Sequence, residues 1–161
     1  MSVLSAQSIR RLCLDETIVK MRAPLLSPFV ERGVANGRSY GLSSCTYDCR
    51  IAHNLLLPVH QGKLAVTMEW FCMPNNVCGS VLDKSTHARV FVTAFNTHLD
   101  PGWYGYLTVE LVNLGPEVVE WQEGDPVCQV KFEWLDEPTD RPYDGKYNNQ
   151  PQVPVGPILE A

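Results

Sequence analysis

Long apolar runs are missing from this 161-residue chain. No stretch approaches the roughly 18 consecutive apolar residues of a membrane-crossing helix, and the opening MSVLSAQSIRRLCL has no continuous apolar signal core. A cytoplasmic location is the expectation, with no membrane partner. Basic residues are also scarce, 13 Lys and Arg against 18 Asp and Glu for a formal charge of −5. That excludes the broad basic surface of sequence-blind nucleic-acid binding, but not a small anionic ligand gripped by a few local cations. The six cysteines, Cys13, Cys45, Cys49, Cys72, Cys78 and Cys128, include no Cys-x-x-Cys pair, so neither a zinc ribbon nor a redox motif is supported. Most read as reduced, half-buried strand residues. His98, one of four histidines, has no second ligand at metal-binding spacing and reads as a loop residue.

What is present is enough chain for one domain with a real core, 45% of it hydrophobic. Twelve prolines and eleven glycines punctuate short apolar runs, which favours an all-β chain. Ser5 is placed to start a short helix through about Leu14, with Leu4, Ile9 and Leu12 as its apolar stripe. Residues 21–42, rich in Pro and Gly, read as loops with short extended pieces. Strands are expected over Ser43–Ile51, Leu55–Leu57, Leu64–Phe71, Val77–Leu82, Val90–Phe95, Glu117–Trp121 and Val127–Trp134. Asp48 and Arg50 share one side of the first of these and read as a structural ion pair or interface contact. Many short strands separated by turns point to a sandwich or barrel.

The stretch DPGWYGYLTVELVN, Asp100 to Asn113, is the centre of the pattern. Asp100, Pro101 and Gly102 form a turn signal, and the run from Tyr106 to Val112 is a strand. In it Leu107, Val109 and Leu111 share one face, while Thr108, Glu110 and Val112 share the other. An acid inside a short apolar strand needs a reason, because an unpartnered buried carboxylate is costly. Glu110 reads either as a solvated or ion-paired strand residue or as a general base with a pKa raised by desolvation.

Three other groups of residues carry chemistry. Lys84, Ser85, Thr86 and Arg89 put two cations and two hydroxyls within six residues, a combination suited to an oxyanion and also found in solvated turns. Gln129 is an amide within an apolar strand, able to read the edge of a base or to face solvent. From Leu135 the composition turns to Pro, Asp, Asn and Gln, and RPYDGKYNNQ concentrates Tyr143, Lys146, Tyr147 and Gln150 in a mobile tail that could close as a lid. The expected organisation is one barrel domain over 1–135 and a tail over 136–161.

Taken in order, these motifs resemble the dCTP deaminase branch of the dUTPase superfamily. VLSAQSIRRL resembles the family's start and SSCTYDCRI its Ser/Thr-x-Asp-x-Arg strand. VTMEWFCMPNNVCGSVLDKSTHAR resembles its segment ending in Arg-Ser-Ser-x-x-Arg, and DPGWYGYLTVELVN is the closest match. EGDPVCQVKF and PYDGKYNNQ complete the series. The resemblance implies a homotrimer of distorted, jelly-roll-like β-barrels with active sites between subunits, hydrolysing dCTP to dUTP and ammonia. No zinc is implied, in keeping with a chain that lacks the His-x-Glu and Pro-Cys-x-x-Cys pattern of zinc deaminases. Mg²⁺ is implied on the phosphates, held mainly by the nucleotide.

By position, the resemblance makes Glu110 the water-activating acid and Ser85 and Arg89 the residues that orient water and amino group. It puts Lys84, Ser85 and Thr86 on the phosphates, Asp100 on the sugar, Asn96 and Gln129 at the base, and Tyr143, Lys146, Tyr147 and Gln150 in the lid. Lys84 stands where the family has Arg, Thr86 where it has Ser, and Asn96 where a small residue usually lines the base pocket. The Arg89 to Asp100 connection and the tail are compressed, as in a trimmed, virus-encoded member. A bifunctional enzyme that goes on to release pyrophosphate, a pure dUTPase, and an inactive nucleotide-binding protein stay open, as does dTTP as an inhibitor. GKYNNQ and Asp-Pro-Gly-Trp depart from the Gly-rich, Phe-containing tail and Tyr-Arg-Gly of a pure dUTPase.

Overall fold

A computed structural model describes residues 2–95 and 97–160. Its described residues form thirteen strands and three short helices, the all-β class expected with the N-terminal helix in place. Helix α1 (Ala6–Leu14) follows Ser5 and buries Ile9, Leu12 and Cys13. A second helix, α2 (Glu16–Met21), was not expected. Asp15 is the cause: its backbone N–H ends α1 on the Arg11 carbonyl, while its Oδ1 accepts from Thr17 N at 2.9 Å and starts the next helix. No described helix is long and apolar enough to cross a membrane.

Two curled sheets wrap one core. In the larger, β10 (His98–Leu99), β8 (Val77–Asp83), β13 (Pro126–Trp134), β5 (Thr46–Arg50), β4 (Arg38–Leu42) and β3 (Gly33–Ala35) lie in that order, with β1 (Ser2–Val3) on β13. The smaller runs β2 (Leu26–Ser27), β7 (Gly62–Cys72), β11 (Tyr104–Asn113) and β9 (Val92–Ala94). A hairpin-like pair, β6 (Leu55–Leu57) and β12 (Val119–Trp121), stands apart from both. Helix α3 (Ser85–Ala88) sits where the sequence rhythm breaks. His98 is a correction, since it pairs with Ser80 as part of β10 rather than lying in a loop.

The core is built from alternate strand residues: Tyr47 and Cys49 from β5, Phe71 from β7, Leu111 from β11, and Cys128, Val130 and Phe132 from β13 are essentially unexposed. Burial of each large side chain is worth about 1.5–3 kcal/mol. All six cysteines are free, and Cys13, Cys49, Cys78 and Cys128 are buried, deeper than the half-buried positions expected. They fill space as small apolar groups, and burial pushes the Cys13 thiol up to about 12.

The pairing of β7 with β11 positions the site. Its register breaks between Tyr106 and Thr108, so that Thr67, Met68 and Glu69 bulge opposite Leu107. The buried Thr67 hydroxyl closes the break, accepting from Leu107 N at 3.0 Å and donating to the Glu69 carbonyl at 2.8 Å. The turn before β11 is made at Gly102, whose φ of +88° suits glycine and whose N–H reaches the Met73 carbonyl at 3.1 Å.

Candidate active site

Thr108, Glu110 and Tyr143 share a cavity of about 430 Å³ on the open side of β11. Leu64, Trp103 and Leu107 form its apolar wall, and Asp100, Tyr147 and Gln150 face it from the turn and the tail. Five of the residues picked out from sequence are therefore brought together: Glu110, Asp100, Tyr143, Tyr147 and Gln150.

Glu110 is half-buried on β11, and its Oε2 is enclosed without a hydrogen-bond partner among the described residues. Desolvation pushes its pKa above the ordinary carboxylate value, and a backbone hydrogen bond pulls only partly back. An acid in that state is a better base than a solvated one, and its open lone pair points to a missing donor such as water. Asp100 sits at the rim with about half its side chain exposed, its Oδ1 3.8 Å from His98 Nε2.

The tail is stitched to the strand it covers. Trp103 Nε1 donates to the Tyr147 carbonyl at 2.7 Å, Asn149 N to the Tyr104 carbonyl at 2.8 Å, and Tyr106 N to the Gln150 carbonyl at 3.1 Å. Gly105 bridges Gln150, and a Cβ at Gly105 would stand 2.5 Å from Gln150 N, so only glycine admits so close an approach. Thr108 Oγ1 donates to Gln150 Oε1 at 3.3 Å and accepts from Val155 N at 3.1 Å, which draws Val155, Gly156 and Pro157 over the cavity. Lys146 lies outside the lining, near Glu160 at 3.4 Å and over the Tyr147 ring.

The oxyanion cluster is elsewhere. Ser85, Thr86 and Arg89 are exposed on and beside α3, Arg89 Nη1 donating to the Ser85 carbonyl at 3.1 Å, and none of them lines the cavity of its own chain. Lys84 is buried, its Nζ 2.6 Å from Asp48 Oδ2. Gln129 is half-buried on β13, facing Asp48 across one ladder and Leu82 across the other. Asn96 lies outside the described residues. Asp48 and Arg50 do not pair with each other: Asp48 takes Lys84, and Arg50 takes Glu69, donating Nε to Oε1 at 2.8 Å and its backbone N–H to Oε2 at 2.9 Å.

Sequence reasoning missed Thr97, Trp103, Thr108 and Val155 as cavity residues, and Glu69 and His87 as buried polar ones. Thr108 carried a signal, since it shares a strand face with Glu110. Glu69, an acid in the apolar run VTMEWF, carried the same signal as Glu110. Inside α3 only His87 is buried, its ring tilted 52° against that of Trp121 with centroids 4.9 Å apart and its Nε2 2.8 Å from the Pro126 carbonyl. Burial lowers its pKa, and Arg38 and Lys84 add to the lowering.

A sequence model of the family described as dCTP deaminase-like matches residues 43–135. The dCTP deaminase of Campylobacter lari is 30% identical over 181 aligned positions, covering 91% of this chain and 97% of that protein. That of Herpetosiphon aurantiacus is 31% identical and covers 95% and 97%. Both are bacterial, and they lend the expected viral origin no support. Among solved structures, the EIAV dUTPase superposes with a TM-score of 0.56 at 20% identity, covering 75% of this chain and 98% of that one. The dUTPase of Staphylococcus bacteriophage 80alpha gives 0.55 at 11% identity, covering 75% and 93%. At such identities the structural likeness speaks for the fold alone.

Proposed function

We propose, because this chain belongs to the dCTP deaminase-like family, that it hydrolyses dCTP to dUTP and ammonia. The observation that carries the mechanism is Glu110, an acid with a raised pKa and a buried, unpartnered oxygen on an open cavity. Its carboxylate takes a proton from water as the oxygen bonds to cytosine C4. The tetrahedral adduct receives that proton at the ring nitrogen. Proton transfer from the adduct to the exocyclic amine then lets the C4–N bond break, so that ammonia departs and a carbonyl forms at C4. The same group must be ionised to begin and protonated midway, an exchange that a half-desolvated carboxyl makes more readily than a solvated one.

The reading extends to an assembly. Ser85, Thr86 and Arg89 are held away from their own cavity and are free to complete that of a neighbouring copy, as expected for a homotrimer with sites between subunits. Exposed Val90, Phe91, Phe95 and Leu114 give that neighbour apolar surface to cover. The tail from Tyr143 to Gln150 serves as the lid over the triphosphate, and Asp100 as the contact to the sugar. Among the described residues no group of three or more His, Cys, Asp or Glu is placed to hold a metal. Mg²⁺, which would screen the phosphate charge, would be held mainly by the nucleotide's phosphate oxygens.

Incubation with dCTP, dCMP, CTP and dUTP, with and without Mg²⁺, tests the proposal when ammonia and pyrophosphate are scored separately. Ammonia from dCTP is the expected product. Ammonia together with pyrophosphate identifies the bifunctional enzyme, and pyrophosphate from dUTP alone the dUTPase. Neither product from any nucleotide defeats the catalytic reading and leaves a binding protein. Adding dTTP to the dCTP reaction reads out end-product inhibition in the same assay.

A further inference from the structure

The cavity contains a second polar atom with nothing to bond. Thr97 joins β9 to β10 and lines the same cavity as Glu110, and its Oγ1 is buried without a hydrogen-bond partner among the described residues. The backbone around it is fixed at two points. The Thr97 carbonyl accepts from Val81 N at 3.0 Å, and Phe95 N donates to the Glu110 carbonyl at 2.9 Å. The segment that carries Thr97 is thus tied to β8 on one side and to the Glu110 backbone on the other.

Other polar groups around the cavity are already occupied. Thr108 Oγ1 is shared between Gln150 and Val155, and the Trp103 N–H is given to Tyr147. Asp100 lies at the exposed rim. That leaves two enclosed oxygens, Glu110 Oε2 and Thr97 Oγ1, in one cavity. A buried hydroxyl left unbonded costs stability, so a site that keeps one is incomplete without a partner from a ligand.

We propose that Thr97 contacts the substrate directly, its hydroxyl bonding the edge of the pyrimidine ring at which the amino group is exchanged, beside Glu110. This rests on the deaminase reading. A hydroxyl suits that edge because it accepts from an amino N–H and, after rotation about Cβ–Oγ, donates to the carbonyl oxygen that replaces it. No backbone movement is needed between substrate and product. Thr97 is then a specificity residue for a ring bearing an exchangeable 4-amino group.

The test uses Thr97→Val, which keeps the shape and removes the hydroxyl, and Thr97→Ser, which keeps the hydroxyl. Without nucleotide, Thr97→Val is expected to melt at or above the wild-type Tm, because it removes an unsatisfied buried group. Its kcat/KM for dCTP should nonetheless fall about ten-fold, with Thr97→Ser within about three-fold of wild type. Loss of activity with unimpaired stability is a pairing that a merely structural threonine does not give. A nucleotide-free Tm several degrees lower, or kcat/KM within two-fold of wild type, overturns the assignment. Absence of ammonia from the wild type sinks the deaminase reading by itself, and the dCTP-induced rise in Tm then decides about Thr97. A smaller rise in Thr97→Val than in wild type upholds the contact. Equal rises, or no rise in either, reject it.

Discussion

Two glutamates on neighbouring strands have been treated in opposite ways. Glu69 on β7 and Glu110 on β11 both have their pKa raised by burial. Glu69 is wholly buried, yet both of its oxygens are satisfied by Arg50, through the guanidinium and the backbone N–H. Glu110 is less buried, but one oxygen is enclosed and unbonded on a cavity. Depth of burial does not separate the structural acid from the chemical one. Satisfaction does: a carboxylate with its hydrogen bonds made holds strands together, and one with a vacant lone pair is available to a ligand.

Exchanging each acid for its amide sharpens that contrast. Glu110→Gln should lower kcat for dCTP deamination by about 10³-fold, within the range for a lost general base, while the Tm stays near wild type. In the wild type the acid limb of the rate profile should lie above the ordinary carboxylate range, because the base must be ionised and its raised pKa delays that. A variant that keeps near wild-type turnover removes Glu110 from the chemistry. Glu69→Gln should act on the fold instead, since it leaves the half-buried Arg50 without a counter-charge, and Arg50 Nη2 already lacks a hydrogen-bond partner among the described residues. A loss of about 3–5 kcal/mol in chemical denaturation is expected. If the two variants have the same phenotype, the distinction fails.

The strands were legible because their apolar residues alternate or run together between Pro and Gly, and Tyr106–Val112 extends in the structure to Tyr104–Asn113. Helix α2 was not, because ETIVKM has no apolar stripe and depends on a cap supplied by Asp15. Glu110, Asp100 and the tail residues could be picked out as polar groups in unusual places or by resemblance. The partners of Asp48 and Arg50 could not, because alternation places a side chain on a face without naming what crosses to meet it. Lys84 is 36 positions from Asp48, and Glu69 is 19 from Arg50. Thr97 was invisible for a similar reason, since an unbonded hydroxyl is a property of the folded surroundings.

Smaller effects are expected where the cavity depends on the tail. Gly105→Ala would set a Cβ against Gln150 N on a backbone whose φ is +139°. The strand has room for neither, so the tail should detach locally. Raised hydrogen exchange at Asn149 and Tyr106, with KM for dCTP increased several-fold and kcat less affected, is the expected signature of a lost binding surface rather than lost chemistry. Unchanged exchange at those amides would show that the tail does not depend on this approach.

The smallest effect concerns His87, a third titratable group in the interior, whose satisfaction depends on its tautomer. Its Nε2 faces both the Pro126 carbonyl at 2.8 Å and Trp121 Nε1 at 3.1 Å, and one nitrogen serves the first as a donor or the second as an acceptor, not both. Burial, Arg38 and Lys84 lower its pKa, while the Pro126 hydrogen bond and Asp125 oppose them. A histidine with a depressed folded pKa contributes stability above its unfolded value of about 6.5, and loses it as pH falls through the lower folded value. His87→Gln, which cannot ionise, should therefore flatten the stability profile below about pH 6.5. Denaturation midpoints at pH 7.5 and pH 5 for both proteins measure it. Parallel profiles would mean that His87 takes up protons equally in the folded and unfolded states, and that acid weakens the fold through other groups.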